Sequence, residues 1–152
     1  MKVLLATDGS PSSEAAIREV ALRHWPDEEV EVLTVVHTRL PLVSDPVLVL
    51  AASYQELLRE ARQKAPEIVE KAAKQIRTQA PHLRVVTKVL EGAPKELIVE
   101  EAEKWGADLI VLGSHGYGPV SRFLLGSVAH AVALHAPCSV QIVRSRQGAP
   151  RA

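Results

Sequence analysis

The sequence predicts an α/β fold, a five-stranded parallel sheet that is doubly wound into a three-layer sandwich with strand order 3-2-1-4-5. Short apolar runs without sustained polar alternation favour strands that are covered on both faces, as in a parallel sheet. Between these runs, apolar residues recur at helical spacing, and strands that alternate with helices are typical of parallel sheets with right-handed crossovers. Aromatic residues make up only 3% of the chain, which indicates an aliphatic core.

Length and charge restrict the class of protein. The 152 residues suit one domain, expected over residues 1–146, with a flexible tail over 147–152. Equal numbers of basic and acidic side chains, 18 of each, leave no electrostatic footprint for nucleic acid or an anionic membrane. No apolar run reaches the ~18 residues of a membrane span, and the N-terminal apolar run is too short for a secretory signal. We therefore expect a cytoplasmic protein with neither partner.

The first unit reads as a strand, a tight turn and a helix. An apolar run over Lys2–Thr7 predicts the strand, and the residues 8–11 that follow it form a turn. Ser10 suits the N-cap and Pro11 the first helical position. Apolar residues then recur at helical spacing until Pro26, where the helix is expected to stop.

The second strand and the long segment after it are less regular. Val30–Val36 predicts the strand, with Glu31 expected at the rim of the sheet. The segment His37–Ala52 contains two prolines and reads as an unusually long loop. A long helical pattern covers Tyr54–Ala80, and Pro66 inside it predicts a kink or a short break.

The remaining elements complete the alternation of strands and helices. Leu83–Leu90 carries basic residues on one face, as an edge strand does, and a helix follows from Pro94 to a C-cap at Gly106. The other predicted elements are the fourth strand Ala107–Leu112, the last helix Ser127–Ala136 and the fifth strand Ser139–Val143.

The stretch between the fourth strand and the last helix carries the spacing G-x2-G-x9-G-S, formed by Gly113, Gly116, Gly126 and Ser127. Glycines let backbone N–H groups turn inward, and a helix N-terminus adds unpaired donors and a partial positive charge. Ligands of such sheets bind where the strand order reverses, here between strands one and four, which places Asp8 beside Gly113. The pattern predicts a polyphosphate cradle that Gly126→Val would abolish without unfolding the protein.

Other nucleotide and catalytic motifs do not fit. The chain has no G-x4-G-K-[ST] sequence, and Gly116-x-Gly118 is followed by Ser121 where a dinucleotide fingerprint has glycine or alanine. No serine lies in a G-x-S-x-G motif, and no Cys–His pairing or base for phosphoryl transfer is evident. The cradle therefore indicates binding more than catalysis.

Together these motifs resemble the universal stress protein family of the ATP-binding type. The resemblance covers nearly the whole chain, from Thr7-Asp8 through GSHG at 113–116 and LGSV at 125–128 to the strand after Ala136-Pro137. It implies a bound adenine nucleotide (ATP, ADP or AMP), a homodimer paired through the last strand, and a role in stress response. The exposed edge expected for Ser139–Val143 also favours a two-fold pairing.

The resemblance also implies the residues of the nucleotide site. Asp8 is similar to the family's acidic residue near the nucleoside, with Thr7 beside it, and Val35 would lie against the adenine. The other implied residues are Leu112, Gly113, Ser114, His115 and Gly116 in the loop around ribose and phosphates, and Gly126, Ser127 and Val128 at the phosphate-binding helix start.

Several of these residues have a second interpretation. Asp8 also suits a helix cap, and the glycines after the fourth strand suit a plain turn. His115 either contacts a phosphate or faces solvent, Arg122 either clamps a phosphate or is solvated, and Ser127 also suits an N-cap.

The sequence also bears on metal binding and on whether a bound nucleotide is hydrolysed. His130 and His135 are about 140° apart around a helix, so they do not form a metal site, although Mg2+ or Mn2+ can arrive with the nucleotide. A slow ATPase and a purely structural dimer with an empty loop are the two alternatives to a nucleotide-binding regulatory module.

Overall fold

The computed structural model of the protein describes residues 1–23, 29–38, 47–116 and 124–145. Its strands are β1 (Lys2–Ala6), β2 (Glu29–His37), β3 (Arg84–Gly92), β4 (Leu109–Gly113) and β5 (Ser139–Val143). Its helices are α1 (Pro11–Leu22), α2 (Val47–Gln79), α3 (Pro94–Trp105) and α4 (Ser127–His135). The strands form one five-stranded sheet in the order β3-β2-β1-β4-β5 with parallel pairing throughout, which confirms the predicted fold class and strand order.

Alternate side chains of the strands enter two apolar clusters, one on each face of the sheet. On the face of α1 and α2, the cluster includes Val3, Leu5, Ile17, Val20, Val30, Val32, Val69, Ile76 and Val111. On the face of α3 and α4, it includes Leu4, Ala6, Leu33, Ile98, Ile110, Leu112 and Val132. Because both faces are covered, the strands are apolar along most of their length, and the three-layer prediction is confirmed.

The turn between β1 and α1 follows the sequence prediction. Ser10 is the N-cap and accepts a hydrogen bond from the backbone N–H of Ser13, while Pro11 occupies the first turn of the helix. Helix α1 ends at Leu22, and the predicted stop at Pro26 lies outside the described residues. The helix start is therefore fixed by local chemistry, close to the carboxyl end of β1.

The predicted loop over His37–Ala52 is partly wrong. Helix α2 begins at Val47, so residues 47–52 are helical, and residues 39–46 lie outside the described part of the chain. The segment VLVLAA that starts the helix is rich in Leu and Ala, which have high helix propensity, and a preceding proline is compatible with a helix start.

A break at Pro66 is also wrong. Helix α2 continues without interruption through this proline, which is exposed. Its neighbours Ala65 and Val69 are 1% and 3% exposed and pack into the core. Burial on both sides of the proline holds the helix together although one backbone hydrogen bond is lost.

The expectation that Glu31 lies at the rim of the sheet is wrong, since this side chain is only 5% exposed. It lies in β2 opposite Leu4 of β1 and Val86 of β3, beneath α3. Strand β2 is paired on both sides and covered on both faces, so a polar residue near its start is enclosed.

The last part of the chain agrees with the prediction. Strand β3 is an edge strand, and Gly106 is the C-cap of α3 with a φ of 73° that favours glycine. The predicted tail over 147–152 lies outside the described residues. Within the described residues, no helix has the length and apolar character that crossing a bilayer requires.

Candidate functional site

A cavity of about 310 Å³ lies beyond the carboxyl ends of β1, β2 and β4. Its lining includes all of the predicted site residues: Thr7, Asp8, Val35, Leu112, Gly113, Ser114, His115, Gly116, Gly126, Ser127 and Val128. The strand order reverses between β1 and β4 at this point, which is where ligands of doubly wound sheets bind. Arg122, the predicted phosphate clamp, lies outside the described residues.

Sequence reasoning missed part of the lining, namely Ala6, Ser13, Leu33, Pro94, Ile98 and Ala129. Leu33 was recognisable, because it lies two residues before Val35 and residues two apart in a strand share a face. Ala6 pairs in register with Leu112, which was among the predicted residues. Pro94 and Ile98 were recognisable in principle, because α3 starts where β3 ends and all strands of a parallel sheet end at the same edge.

One side of the cavity is apolar. Ala6, Leu33, Leu112 and Ile98 are at most 8% exposed and belong to the cluster beneath α3 and α4, and the partly buried Val35 packs against them. Pro94, in the first turn of α3, also lines the cavity. These side chains form an aliphatic wall suited to a flat apolar group.

The other side begins with the turn after β1. Oδ1 of Asp8 accepts a hydrogen bond from the Ser10 N–H at 2.9 Å, while Gly9 has a φ of 77°. Oδ2 of the same carboxylate lies against Gly116, where an added Cβ would come within 2.8 Å of it. Asp8 therefore supports the turn with one oxygen and faces the β4 loop with the other, while Ser10 is the helix cap.

Buried hydroxyl groups connect β1, β2 and α1 below this turn. The Thr7 hydroxyl donates to Ser13 Oγ at 3.0 Å and accepts from the Gly9 N–H, and the Thr34 hydroxyl donates to the Thr7 carbonyl at 2.7 Å. Thr7, Ser13 and Thr34 are each at most 5% exposed. The network satisfies polar groups that would otherwise be costly to bury, and it makes the floor of the cavity rigid.

Gly113 allows α1 to approach the end of β4. A Cβ at this position would lie 2.6 Å from the backbone carbon of Ser12. The Ser12 side chain accepts a hydrogen bond from the His115 N–H at 3.2 Å and lies 3.4 Å from Ser114 Oγ. This glycine thus serves close packing of α1 against the loop, and Ser12 holds that loop in place.

The amide of Gly126 is not free for a ligand, contrary to the sequence-based interpretation. It donates to the Ser114 carbonyl at 2.8 Å, and an added Cβ would lie 2.9 Å from that oxygen and 3.2 Å from His115 Cα. The Ser114 N–H likewise donates to Val143 of β5 at 2.9 Å. The loop after β4 and the segment before α4 therefore contact each other, and this contact leaves no room for a side chain at Gly126.

Backbone donors without a partner in the described part of the chain are found instead at the start of α4. Gly126 is the N-cap and no side chain caps the helix, so Ser127 is the first helical residue and not the cap. The first backbone bond within the helix joins the His130 N–H to the Gly126 carbonyl. The N–H groups of Ser127, Val128 and Ala129 precede this bond and have no partner within the helix, while the helix dipole adds a partial positive charge.

His115 lines the cavity, and both of its ring nitrogens are engaged by protein groups, so a phosphate contact of this residue stays a prediction. Nε2 bonds to the Leu124 carbonyl, which only accepts, so we assign the proton to Nε2. Nδ1 then accepts from the Ser114 hydroxyl at 2.8 Å. The half-buried ring ties residue 124 to the end of β4 and so links the two loops that line the cavity.

The chain matches the profile of the universal stress protein family over residues 1–144. Universal stress protein MJ0531 of Methanocaldococcus jannaschii is 39% identical over 144 residues, which cover 94% of this chain and 81% of that protein. The solved structure of universal stress protein UspA from Lactobacillus plantarum is 30% identical, with a TM-score of 0.76 over 95% of this chain and 97% of that one.

Two more distant solved structures, each less than 25% identical, contain nucleotides. One is a universal stress protein in complex with cAMP, with 22% identity and a TM-score of 0.66. The other is a universal stress protein family protein from Arabidopsis thaliana with AMP bound, with 17% identity and a TM-score of 0.63. The profile match over nearly the whole sequence and the similarity to MJ0531 show that this chain belongs to the universal stress protein family.

Proposed function

We propose that this protein binds an adenine nucleotide, with ATP as the expected ligand and ADP or AMP as the alternatives, and acts as a regulatory module of the stress response. The observation that carries the proposal is the convergence of the implied site residues on one cavity. A volume of about 310 Å³ is within the range of small-molecule sites. Further support comes from family members that hold AMP or cAMP.

The cavity has two chemically different sides, as a nucleotide does. In the proposed complex the base lies on the aliphatic wall next to Val35 and Ile98. The Oδ2 side of Asp8 accepts from the ribose hydroxyls, and the phosphates lie over the start of α4 at Ser127 and Val128, which no side chain of the described residues caps. Backbone amides and a helix dipole bind phosphate without a lysine.

Binding is better supported than hydrolysis. Asp8 and His115 are the ionisable groups among the described residues that line the cavity. Oδ1 of Asp8 is engaged in the turn and its Oδ2 is assigned to the ribose in the proposed complex, while both ring nitrogens of His115 are hydrogen bonded, so neither residue is poised as a base for water. Asp8 is also the single carboxylate of this lining, so we propose that any Mg2+ or Mn2+ enters with the phosphates.

The proposal is tested by denaturing the purified protein, identifying any released nucleotide, and titrating the stripped protein with ATP, ADP and AMP by calorimetry. Saturable binding of one of them supports it, and a protein that binds none overturns it. Following the bound nucleotide over time separates the binding module from a slow ATPase.

We also propose that the protein forms a homodimer through β5. This strand lies at an edge of the sheet. The Val143 carbonyl points toward β4, because it accepts from the Ser114 N–H, so the backbone groups of Val140 and Ile142 point away from the sheet. An edge with unpaired donors and acceptors favours pairing with a second copy about a two-fold axis. The cytoplasmic location stays a prediction.

A further inference from the structure

A second group of ionisable side chains lies outside the cavity, between the sheet and α3. Glu31 of β2 is 5% exposed and its Oε1 atom has no hydrogen-bond partner among the described residues. Buried polar atoms are almost always paired, because an unpaired one has lost its hydrogen bonds to water without replacement. A buried carboxyl oxygen without a donor is therefore a feature that needs a chemical explanation.

The other members of this group are Glu101 and Lys88. Glu101 lies on α3 and is also 5% exposed, and the Lys88 ammonium of β3 donates to its Oε1 at 2.7 Å. We call Glu31, Lys88 and Glu101 the acid cluster. It contains two buried carboxyl groups and one cation, and a second buried negative charge has a high cost in free energy when no further cation faces it.

The surrounding elements do not supply that cation from any residue that the structure describes. Strand β1 places Leu4 directly beside Glu31, and the Lys2 ammonium at the start of β1 donates to the Trp105 carbonyl at 3.0 Å. The remaining charged group that acts on Glu31 is Glu29 of the same strand, which is negative. Lys88 is therefore the cation that acts on Glu31, and it is already paired with Glu101.

We propose that Glu31 is a proton-binding site that controls the docking of α3: it carries a proton when α3 is firmly seated, and releasing that proton places a second negative charge beside Glu101 and loosens the helix. Protonation removes the charge imbalance of the acid cluster. It also gives the Glu31 carboxyl a donor, which suits a position facing a second carboxylate.

The electrostatics of the acid cluster agree with this geometry. Burial is the largest effect on Glu31, and the negative charge of Glu101 adds to it, whereas Lys88 opposes both. Hydrogen bonding to Glu101 and the charge of Glu29 add further, and together these effects raise the pKa of Glu31 from 4.5 to about 7. Release of the proton thus falls within the physiological pH range.

The helix that responds is one that forms the cavity. Two members of the acid cluster are close to residues of the aliphatic wall. Glu101 lies one turn along α3 from Ile98, and Lys88 pairs in register with Leu33; Ile98 and Leu33 both line the cavity. A shift in how α3 is seated would change this wall. The proton site itself stands independently of any nucleotide, so it can be tested on the ligand-free protein.

The decisive experiment is a carbon-13 NMR titration of the side-chain carboxyl groups, combined with amide hydrogen exchange of α3 at pH 6 and pH 8.5 after correction for intrinsic rates. We expect Glu31 to titrate near pH 7 and not near 4.5. We also expect the protection of the α3 amides around Ala102 to fall between the two pH values, by about tenfold or more relative to α1.

Two variants complete the test. In Glu31→Gln, which keeps the shape but does not titrate, α3 protection should be equal at both pH values. The control Glu100→Gln changes an exposed carboxylate one residue before Glu101 and should behave as the parent does. A Glu31 midpoint near its ordinary value in the unmodified protein, or a Glu31→Gln variant that retains the pH dependence, overturns the proposal.

Discussion

The backbone N–H of Gly126 lies 2.8 Å from the Ser114 carbonyl oxygen, and this contact joins the two loops that carry the predicted phosphate site. From the sequence, Gly126 was expected to leave space for a phosphate. In the structure, the space beside its Cα is taken by the backbone of Ser114 and His115. In the proposed complex, Gly126 therefore contributes to binding through the loop contact and not by leaving space for a phosphate, and this changes what its substitution is expected to do.

Gly126→Ala should lower both nucleotide affinity and the free energy of unfolding, the latter by about 1–3 kcal/mol, because the added methyl group forces the loops apart. Calorimetric titration and urea unfolding measure the two effects. Gly106→Ala is the matched control, since this glycine has a φ of 73° with no atom within 4 Å of an added Cβ. It should lose about 1 kcal/mol of stability and keep full affinity. Unchanged stability of Gly126→Ala would contradict the role of the contact.

Asp8→Ala should weaken nucleotide binding by about 10–100-fold, the effect of losing a charged acceptor. Titration of both proteins with the same nucleotide measures this. The control is Asp108→Ala, because Asp108 also accepts one backbone N–H, that of Lys2 at 2.7 Å, but does not line the cavity. If Asp8→Ala binds the nucleotide as tightly as Asp108→Ala does, Asp8 serves only the turn after β1.

Ionisation of Glu31 should make the protein less stable as pH rises. Below pH 4.5 the carboxyl is protonated in both the folded and unfolded states, and between 4.5 and about 7 the folded state binds the extra proton. The free energy of unfolding therefore falls across this window, by up to about 3 kcal/mol, and the loss persists above it. Urea unfolding at pH 5 and pH 8 should show a smaller fall in Glu31→Gln than in the parent. An equal fall in both would refute the assignment.

Val140→Pro should convert the proposed dimer into a monomer, because it removes a backbone N–H that points away from the sheet while β4–β5 pairing remains. Val140→Ala shortens the same side chain and keeps the N–H, so it should stay dimeric. Sedimentation velocity measures the assembly, and circular dichroism verifies the fold. A folded Val140→Pro protein that still sediments as a dimer places the interface elsewhere.

Pro66→Ala should raise the free energy of unfolding by about 1–3 kcal/mol, since an exposed proline inside a helix is less favourable than alanine by about that amount. The control Pro11→Ala changes a proline in the first turn of α1, where a backbone N–H would have no partner within the helix. It should change stability by less than about 0.5 kcal/mol. A Pro66→Ala variant no more stable than the parent would show that tertiary packing has already removed the strain.

Sequence patterns were sufficient for the elements whose signals are local. Ser10 and Pro11 set the start of α1, Gly106 ended α3, and the apolar runs marked the strands. The helix over residues 47–52 was missed, because two nearby prolines read as a loop and concealed a good helical segment. The predicted break at Pro66 was wrong because burial of the flanking residues outweighs the low helix propensity of proline.

By itself, the sequence determined the alternation of strands and helices and hence the fold class, because periodicity, capping residues and glycine spacing are read over short distances. Most of the residues expected at the ends of β1 and β4 came from the resemblance to the family, and this set left out part of the cavity lining. Only the tertiary structure decided what those residues do: that Gly113 makes room for Ser12, that both nitrogens of His115 are engaged, and that Glu31 is enclosed beneath α3. These outcomes depend on which distant groups come into contact and exclude water. Such contacts arise from packing between elements and leave no periodic trace along the chain.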